Sequence, residues 1–216
     1  LIRWPQQDGS MISPGEFIPL AEKVGLISDI DQWVLNNTIT KLSHWLVRYP
    51  GRVLPVAVNI SAALFAEQEF VAILAKLITD LGIPPALLEL EITERVAMLD
   101  VEYTLNTLKE LKKLGIGLSI DDFGTGYSNL AYLRLYPVDI LKIDISFIKN
   151  VHLDGKKQNL VRAIIGMAQA LGMKTIAEGV ECQEELDFLI NEKCDQYQGF
   201  FFGKPVAENK LILNLT

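Results

Sequence analysis

Leu88-Glu-Leu-Glu91-Ile-Thr93, then a stripe of Leu105, Leu108, Leu111 and Leu114, then Ile116-Gly-Leu-Ser-Ile120: this succession decides the fold. The two ends are short runs rich in apolar and β-branched residues. The middle repeats leucine every third position, with Lys109, Glu110, Lys112 and Lys113 on the other side. Periodicity therefore gives strand, helix, strand. The same alternation extends in both directions. Strand-like runs occur at Val53–Ile60, Asp139–Asp144, Lys174–Ala177 and Gln196–Phe202. A helical stripe of Phe70, Ile73, Leu74, Leu77, Ile78 and Leu81 stops at Gly82 and Pro84, and another from Leu160 to Leu171 stops at Gly172. A β-then-α rhythm calls for parallel strands joined by helical crossovers. Leu1–Trp4 reads as the tail of one more strand, which makes about seven, one short of a closed barrel of ~250 residues. The expected fold is α/β, a (β/α)8 TIM-like barrel whose N-terminal strand or strands lie upstream of Leu1. The first residue is Leu, not Met, so residues 1–216 are expected to be one N-terminally incomplete domain of a longer protein. An open doubly wound sheet would want a glycine fingerprint after its first strand, and the sequence has none.

Composition narrows the function. The chain is 50% hydrophobic and 22% charged, which suits a globular domain with a large core. It has no apolar run of about 18 residues, so no membrane contact is expected of it. With 20 Lys+Arg against 27 Asp+Glu the net charge is −7, and no basic stripe is present. Such a surface repels a nucleic-acid backbone, so duplex binding is not expected. Cys182 and Cys194 form neither a CxxC pair nor a disulfide framework, and read as two ordinary thiols of a reducing cytoplasm. His44 and His152 stand alone in the sequence and read as surface or helix residues rather than metal ligands.

In a (β/α) barrel, catalytic groups come from the C-terminal ends of strands. Val56-Ala-Val-Asn59 ends in an amide. Leu88–Glu94 places Glu89 and Glu91 on one strand face. Leu118-Ser-Ile-Asp121-Asp122 ends in two acids followed by the glycine-rich Phe123-Gly-Thr-Gly126. Lys142 and Asp144 share a face, Thr175-Ile-Ala-Glu178 ends in an acid, and Gln198 closes the last strand. Several carboxylates at one rim repel one another, and burial drives such acids toward protonation. A pair of divalent cations resolves the conflict. Oxygen donors suit Mg²⁺ or Mn²⁺, and the lack of His and Cys in the set argues against zinc. Taken singly, each residue has a plainer reading: Asn59 and Ser61 as turn and cap residues, Asp121–Asp122 as a helix cap. The glycines of Gly124–Gly126 are not a Walker loop, since no GK[ST] follows; they read as a mobile loop beside the metals.

At these residues the sequence resembles the EAL-domain family of bacterial cyclic di-GMP phosphodiesterases. The matching segments are Ser13–Glu22, Val58–Ser61, Glu89–Glu94, Asp121–Ser128, Val138–Asp144, Ala177–Glu181 and Gln198-Gly199, in the family's order. The resemblance implies metal-dependent hydrolysis of cyclic di-GMP to linear pGpG. It implies two Mg²⁺ or Mn²⁺ ions, one held by Asn59, Glu91 and Asp121, with Asp121 bridging to a second held by Asp122 and Glu178. Lys142 would orient or activate the attacking water, and Glu178 is also the candidate general base. Glu94 would brace the Asp122–Tyr127 loop. Arg3 would pair with a substrate phosphate, and Gln198 and Asp144 would be further substrate contacts. The family's Glu-Ala-Leu motif would end at Leu1, placing its Glu two residues upstream. Where the family often has Arg-Pro after the last strand, this chain has Lys204-Pro205, a point charge in place of a bidentate fork. A homodimer, an upstream sensor or GGDEF domain and a cytoplasmic location are further implications. The competing readings are a cyclic di-GMP receptor without turnover, and a different metal-dependent barrel such as an enolising lyase.

Overall fold

A computed structural model of the chain describes residues 2–98, 100–126 and 130–208, which fall into two compact units, Leu1–Glu89 and Leu90–Thr216. The element order is β1 (Trp4–Pro5), β2 (Met11–Ile12), α1 (Pro14–Val24), α2 (Ile27–Arg48), β3 (Val56–Asn59), α3 (Ala62–Phe65), α4 (Phe70–Leu81), β4 (Leu88–Thr93), α5 (Glu94–Ala97), α6 (Val101–Leu114), β5 (Gly117–Phe123), α7 (Leu130–Leu133), β6 (Ile140–Ile143), α8 (Ile145–Ile148), α9 (Gly155–Ala170), β7 (Lys174–Glu178), α10 (Gln183–Asn191) and β8 (Gln196–Gln198). Short 3-10 turns lie at Pro85–Leu87 and Val151–Leu153.

In the first unit, α1 starts at the N-cap Ser13, whose side chain accepts from the Gly15 N–H, with Pro14 preset for the first turn. The long α2 buries Leu35, Ile39 and Leu42 on one face. Helix α4 buries Phe70, Leu74 and Ile78, while Ile73 of the expected stripe is half exposed. Gly82, at φ 62°, ends α4 in the left-handed conformation that glycine tolerates best. The N-terminus differs from expectation. Trp4 pairs antiparallel with Ile12 in a two-residue ladder, so it belongs to a small hairpin and not to a barrel strand. Leu1 lies outside the described residues.

In the second unit, strands β5 to β8 run parallel, each bonded to the next in chain order. Parallel strands covered on both faces read as continuous apolar runs, and Leu118, Ile120, Leu141, Ile143 and Ala177 are all buried. Helix α6 covers them with Leu108 and Leu111 but also with Thr104 and Thr107, so its buried face is turned slightly from the leucine stripe. Acids at the N-terminal ends of strands are structural. Asp139 accepts the Leu118 N–H at 2.8 Å and both its oxygens meet Lys112 Nζ at 2.8 Å. Asp195 accepts from the Thr175 N–H and hydroxyl at 2.8 and 2.9 Å. Glu91, Asp121, Asp122 and Glu178 instead lie toward the opposite, C-terminal ends of their strands.

The C-terminal ends of two strands differ from the sequence reading by three or more residues. β5 runs on to Phe123, past Ile120, and β8 stops at Gln198, short of Phe202. The second difference has a steric cause. Gly199 lies so close to the Val180 backbone that a Cβ there would strike its oxygen and nitrogen. The chain turns at this point instead of continuing as strand, held by Val180 N–H to Gln198 O and Phe201 N–H to Val180 O, both 3.0 Å.

Candidate active site

Four neighbouring strands deliver the functional groups. Glu91 comes from β4, Asp121 and Asp122 from β5, Lys142 from β6 and Glu178 from the last position of β7. Lys142 is the hub. Its Nζ lies 2.8 Å from Glu91 Oε1, 3.0 Å from Asp121 Oδ1 and 2.8 Å from Glu178 Oε1. Its side chain is only 4% exposed, so the ammonium is bound on three sides and nearly dry.

A bulge makes the pair Asp121–Asp122 usable. In a regular strand, successive side chains point to opposite faces. Here the β5–β6 register shifts between Ile120 and Phe123, and Asp122 takes a left-handed backbone, φ 54°. Bulges re-aim side chains in this way and recur beside active sites. One carboxylate oxygen from each of Asp121, Asp122 and Glu178 consequently falls within 4.8 Å of the others. The Asp122 N–H donates back to Asp121 Oδ1 at 3.0 Å, which fixes the turn.

The electrostatics follow from crowding. Burial works against the charge of Lys142, but Glu91, Asp121 and Glu178 outweigh it and hold the ammonium above the ordinary lysine range. The three carboxylates thus hold it in its charged form. Burial pushes Glu178 up, opposed by Lys142 and helped by Asp121 and Glu91. Burial also pushes Asp122 up, followed by the charges of Asp121 and Asp144. Three carboxylates thus share one ammonium, with Asp122 close to two of them. This donor set fits divalent cations: hard oxygens, converging, with negative charge left over that more cations would offset.

Glu94 is 3% exposed, and its Oε2 accepts the Gly124 N–H at 3.0 Å. A Cβ on Gly124 would lie 2.7 Å from the Phe147 ring, so the start of the glycine loop is pinned between Glu94 and α8. Tyr127 and Ser128, further along the loop, lie outside the described residues. Asp144 caps α8, its Oδ1 accepting the Ser146 N–H at 2.9 Å. Gln198 is the β8 register partner of Glu178 and its side chain is exposed. Asn59 ends β3 in the first unit and is exposed. Ser61, two residues on, is the α3 cap, accepting the Leu64 N–H at 3.3 Å. Arg3, also in the first unit, is exposed and donates to its neighbour's carbonyl, Ile2 O, at 2.8 Å. The sequence reading gives Gly179 and Gly199 no role of their own. A Cβ on Gly179 would strike Ile145, so glycine lets β7 turn sharply straight after Glu178. A glycine directly behind a strand-end acid is the signal for it.

The EAL domain family model matches residues 1–205. The chain belongs to the EAL-domain family. This EAL domain is 39% identical over 216 residues to the bifunctional diguanylate cyclase/cyclic di-GMP phosphodiesterase MucR of Pseudomonas aeruginosa, covering 100% of this chain and 31% of MucR. It is 40% identical over 206 residues to the cyclic di-GMP phosphodiesterase NbdA of the same organism, covering 95% of this chain and 26% of NbdA. The chain therefore spans about a quarter to a third of the length of these curated relatives. The solved structure of the PaMucR phosphodiesterase in complex with c-di-GMP superimposes with a TM-score of 0.93 at 39% identity, over 98% of this chain and 85% of that one. The EAL domain thus has the partial (β/α)8 barrel fold of that neighbour.

Proposed function

We propose that this EAL domain hydrolyses one phosphodiester of cyclic di-GMP to linear pGpG, using two divalent cations, Mg²⁺ or Mn²⁺. One observation carries the reading: Glu91, Asp121 and Glu178 converge on a buried Lys142, with Asp122 turned in by the bulge. Asp121, Asp122 and Glu178 would hold one cation and Glu91 with Asp121 the other. Asn59 as an added oxygen ligand and Arg3 as a phosphate partner rest on the family resemblance. When bound, the cations supply Lewis-acid charge that acidifies water and offsets charge on the phosphate. Lys142 keeps Glu91, Asp121 and Glu178 at fixed spacing and adds positive charge beside an attacking water. Glu178, pushed up by burial, would accept that water's proton. Glu94 holds Gly124, and with it the turn that aims Asp122. Gln198, the register partner of Glu178, and Asp144, whose charge acts on Asp122, would contact substrate.

The test is incubation of the purified chain with cyclic di-GMP and Mg²⁺ or Mn²⁺, followed by product analysis before and after a chelator. The expected result is pGpG that stops forming when the metal is removed. Tight binding with no product under either metal would make the domain a receptor and overturn the proposal.

A further inference from the structure

A second cluster of ligating side chains lies away from the strand ends just described. Cys182, His152 and Glu185 stand 30 and 33 positions apart in sequence counted from His152, yet a ligand atom of each lies within 4.8 Å of the others. His152 sits in the 3-10 turn Val151–Leu153, and Cys182 and Glu185 sit at the start of α10, which packs on that turn. We propose that these three residues form a binding site for a borderline-soft divalent cation of the Zn²⁺ class.

The donor set is thiolate, imidazole and carboxylate, the combination that zinc prefers and that Mg²⁺ avoids. Tetrahedral bonds of roughly 2.0–2.3 Å put ligand atoms roughly 3.4–3.6 Å apart. Closing from separations of no more than 4.8 Å therefore asks for side-chain shifts of about one ångström or less. Glu185 is already oriented: its Oε2 accepts from the Glu181 and Cys182 N–H groups at 2.8 and 3.3 Å, while Oε1 takes one bond from the Asn150 N–H at 2.7 Å. Oε1 keeps a lone pair for a cation.

Two observations ask for an occupant. The Nδ1 of His152 is buried, with no hydrogen-bond partner among the described residues. Such an orphaned atom in a native fold needs an explanation, and an ion is one. Cys182 is the N-cap of α10, where its sulfur accepts the Glu185 N–H. Sulfur is a weak acceptor, and serine or threonine does this work better, so capping does not account for the thiol. Bound there, the cation would tie the Val151–Leu153 turn to the segment that leaves Glu178, and three protein ligands would leave a fourth position open.

Titration of the full chain with Co²⁺, the spectroscopic substitute for Zn²⁺, tests this. Oxygen ligands give no thiolate-to-cobalt charge-transfer absorption, so the readout is blind to the carboxylate site around Lys142 and independent of the phosphodiesterase reading. Wild type is expected to show that near-ultraviolet band. Cys182→Ser, which keeps the cap, is expected to lose it without melting lower. His152→Gln is expected to weaken Co²⁺ binding by at least the ~10–100-fold seen for outer-shell partners. No band in wild type, a band that survives in Cys182→Ser, or affinity unchanged in His152→Gln would each overturn the site.

Discussion

Lys142 is the residue on which three acids depend. Removing one member of a buried ion cluster costs about 3–5 kcal/mol, because the remaining charges are left unpaired. Lys142→Met is expected to melt well below wild type without divalent ions and to recover part of the loss in Mn²⁺, as followed by thermal denaturation. Melting at the wild-type temperature in chelator would mean that the ammonium does not hold the acids together. A second buried acid behaves differently. Asp31 of α2 accepts the Ser61 N–H at 2.8 Å, yet burial keeps its carboxyl above the usual range, with Ser61 opposing and Glu22 adding. A raised folded value means this group supports folding most below about pH 3.9 and costs stability as pH climbs through the folded value. Asn keeps the acceptor and removes the charge. Asp31→Asn is therefore expected to melt above wild type at pH 7, with the gap closing as pH falls toward about 4. A gap that widens on acidification would refute this.

At the scale of elements, the end of β5 is where stability gives way to chemistry. A left-handed backbone at a residue with a Cβ costs roughly 1–2 kcal/mol, and Asp122 adopts it so that its carboxylate joins Asp121 and Glu178. Asp122→Gly is expected to be more stable than wild type by about 1 kcal/mol in chelator, glycine's chain entropy offsetting part of the relief. Its turnover is expected to fall sharply. Lower stability and full activity, measured by denaturant titration and product formation, would contradict that account of the bulge. The parallel strands, the main helices and the residues at the strand ends were legible from period and from the placement of polar residues. The bulge was not, because period-2 reading places Asp121 and Asp122 on opposite faces and carries no register. The early stop of β8 was hidden for a related reason: the close approach of Gly199 to Val180 is a contact between distant segments. His152 and Cys182 were read apart because ligand spacing along a chain reveals nothing about residues joined only by folding.

At the scale of the whole molecule, the charge of −7 and the four carboxylates at the strand ends favour cations over anions. No helix among the described residues is long and apolar enough to cross a membrane. A ligand that binds only the folded state stabilises it by about 2.7 kcal/mol at 100 times its Kd. Saturating Mn²⁺ is therefore expected to raise the melting temperature by several degrees, and chelator to reverse the shift. No shift would mean that the acids hold no ion. The most direct test of the whole account is hydrolysis of cyclic di-GMP at limiting Mg²⁺ by wild type, Glu91→Ala and Asp121→Asn. The account predicts metal-dependent pGpG from wild type and at least ~100-fold slower turnover in both variants; wild-type rates in either one would contradict it.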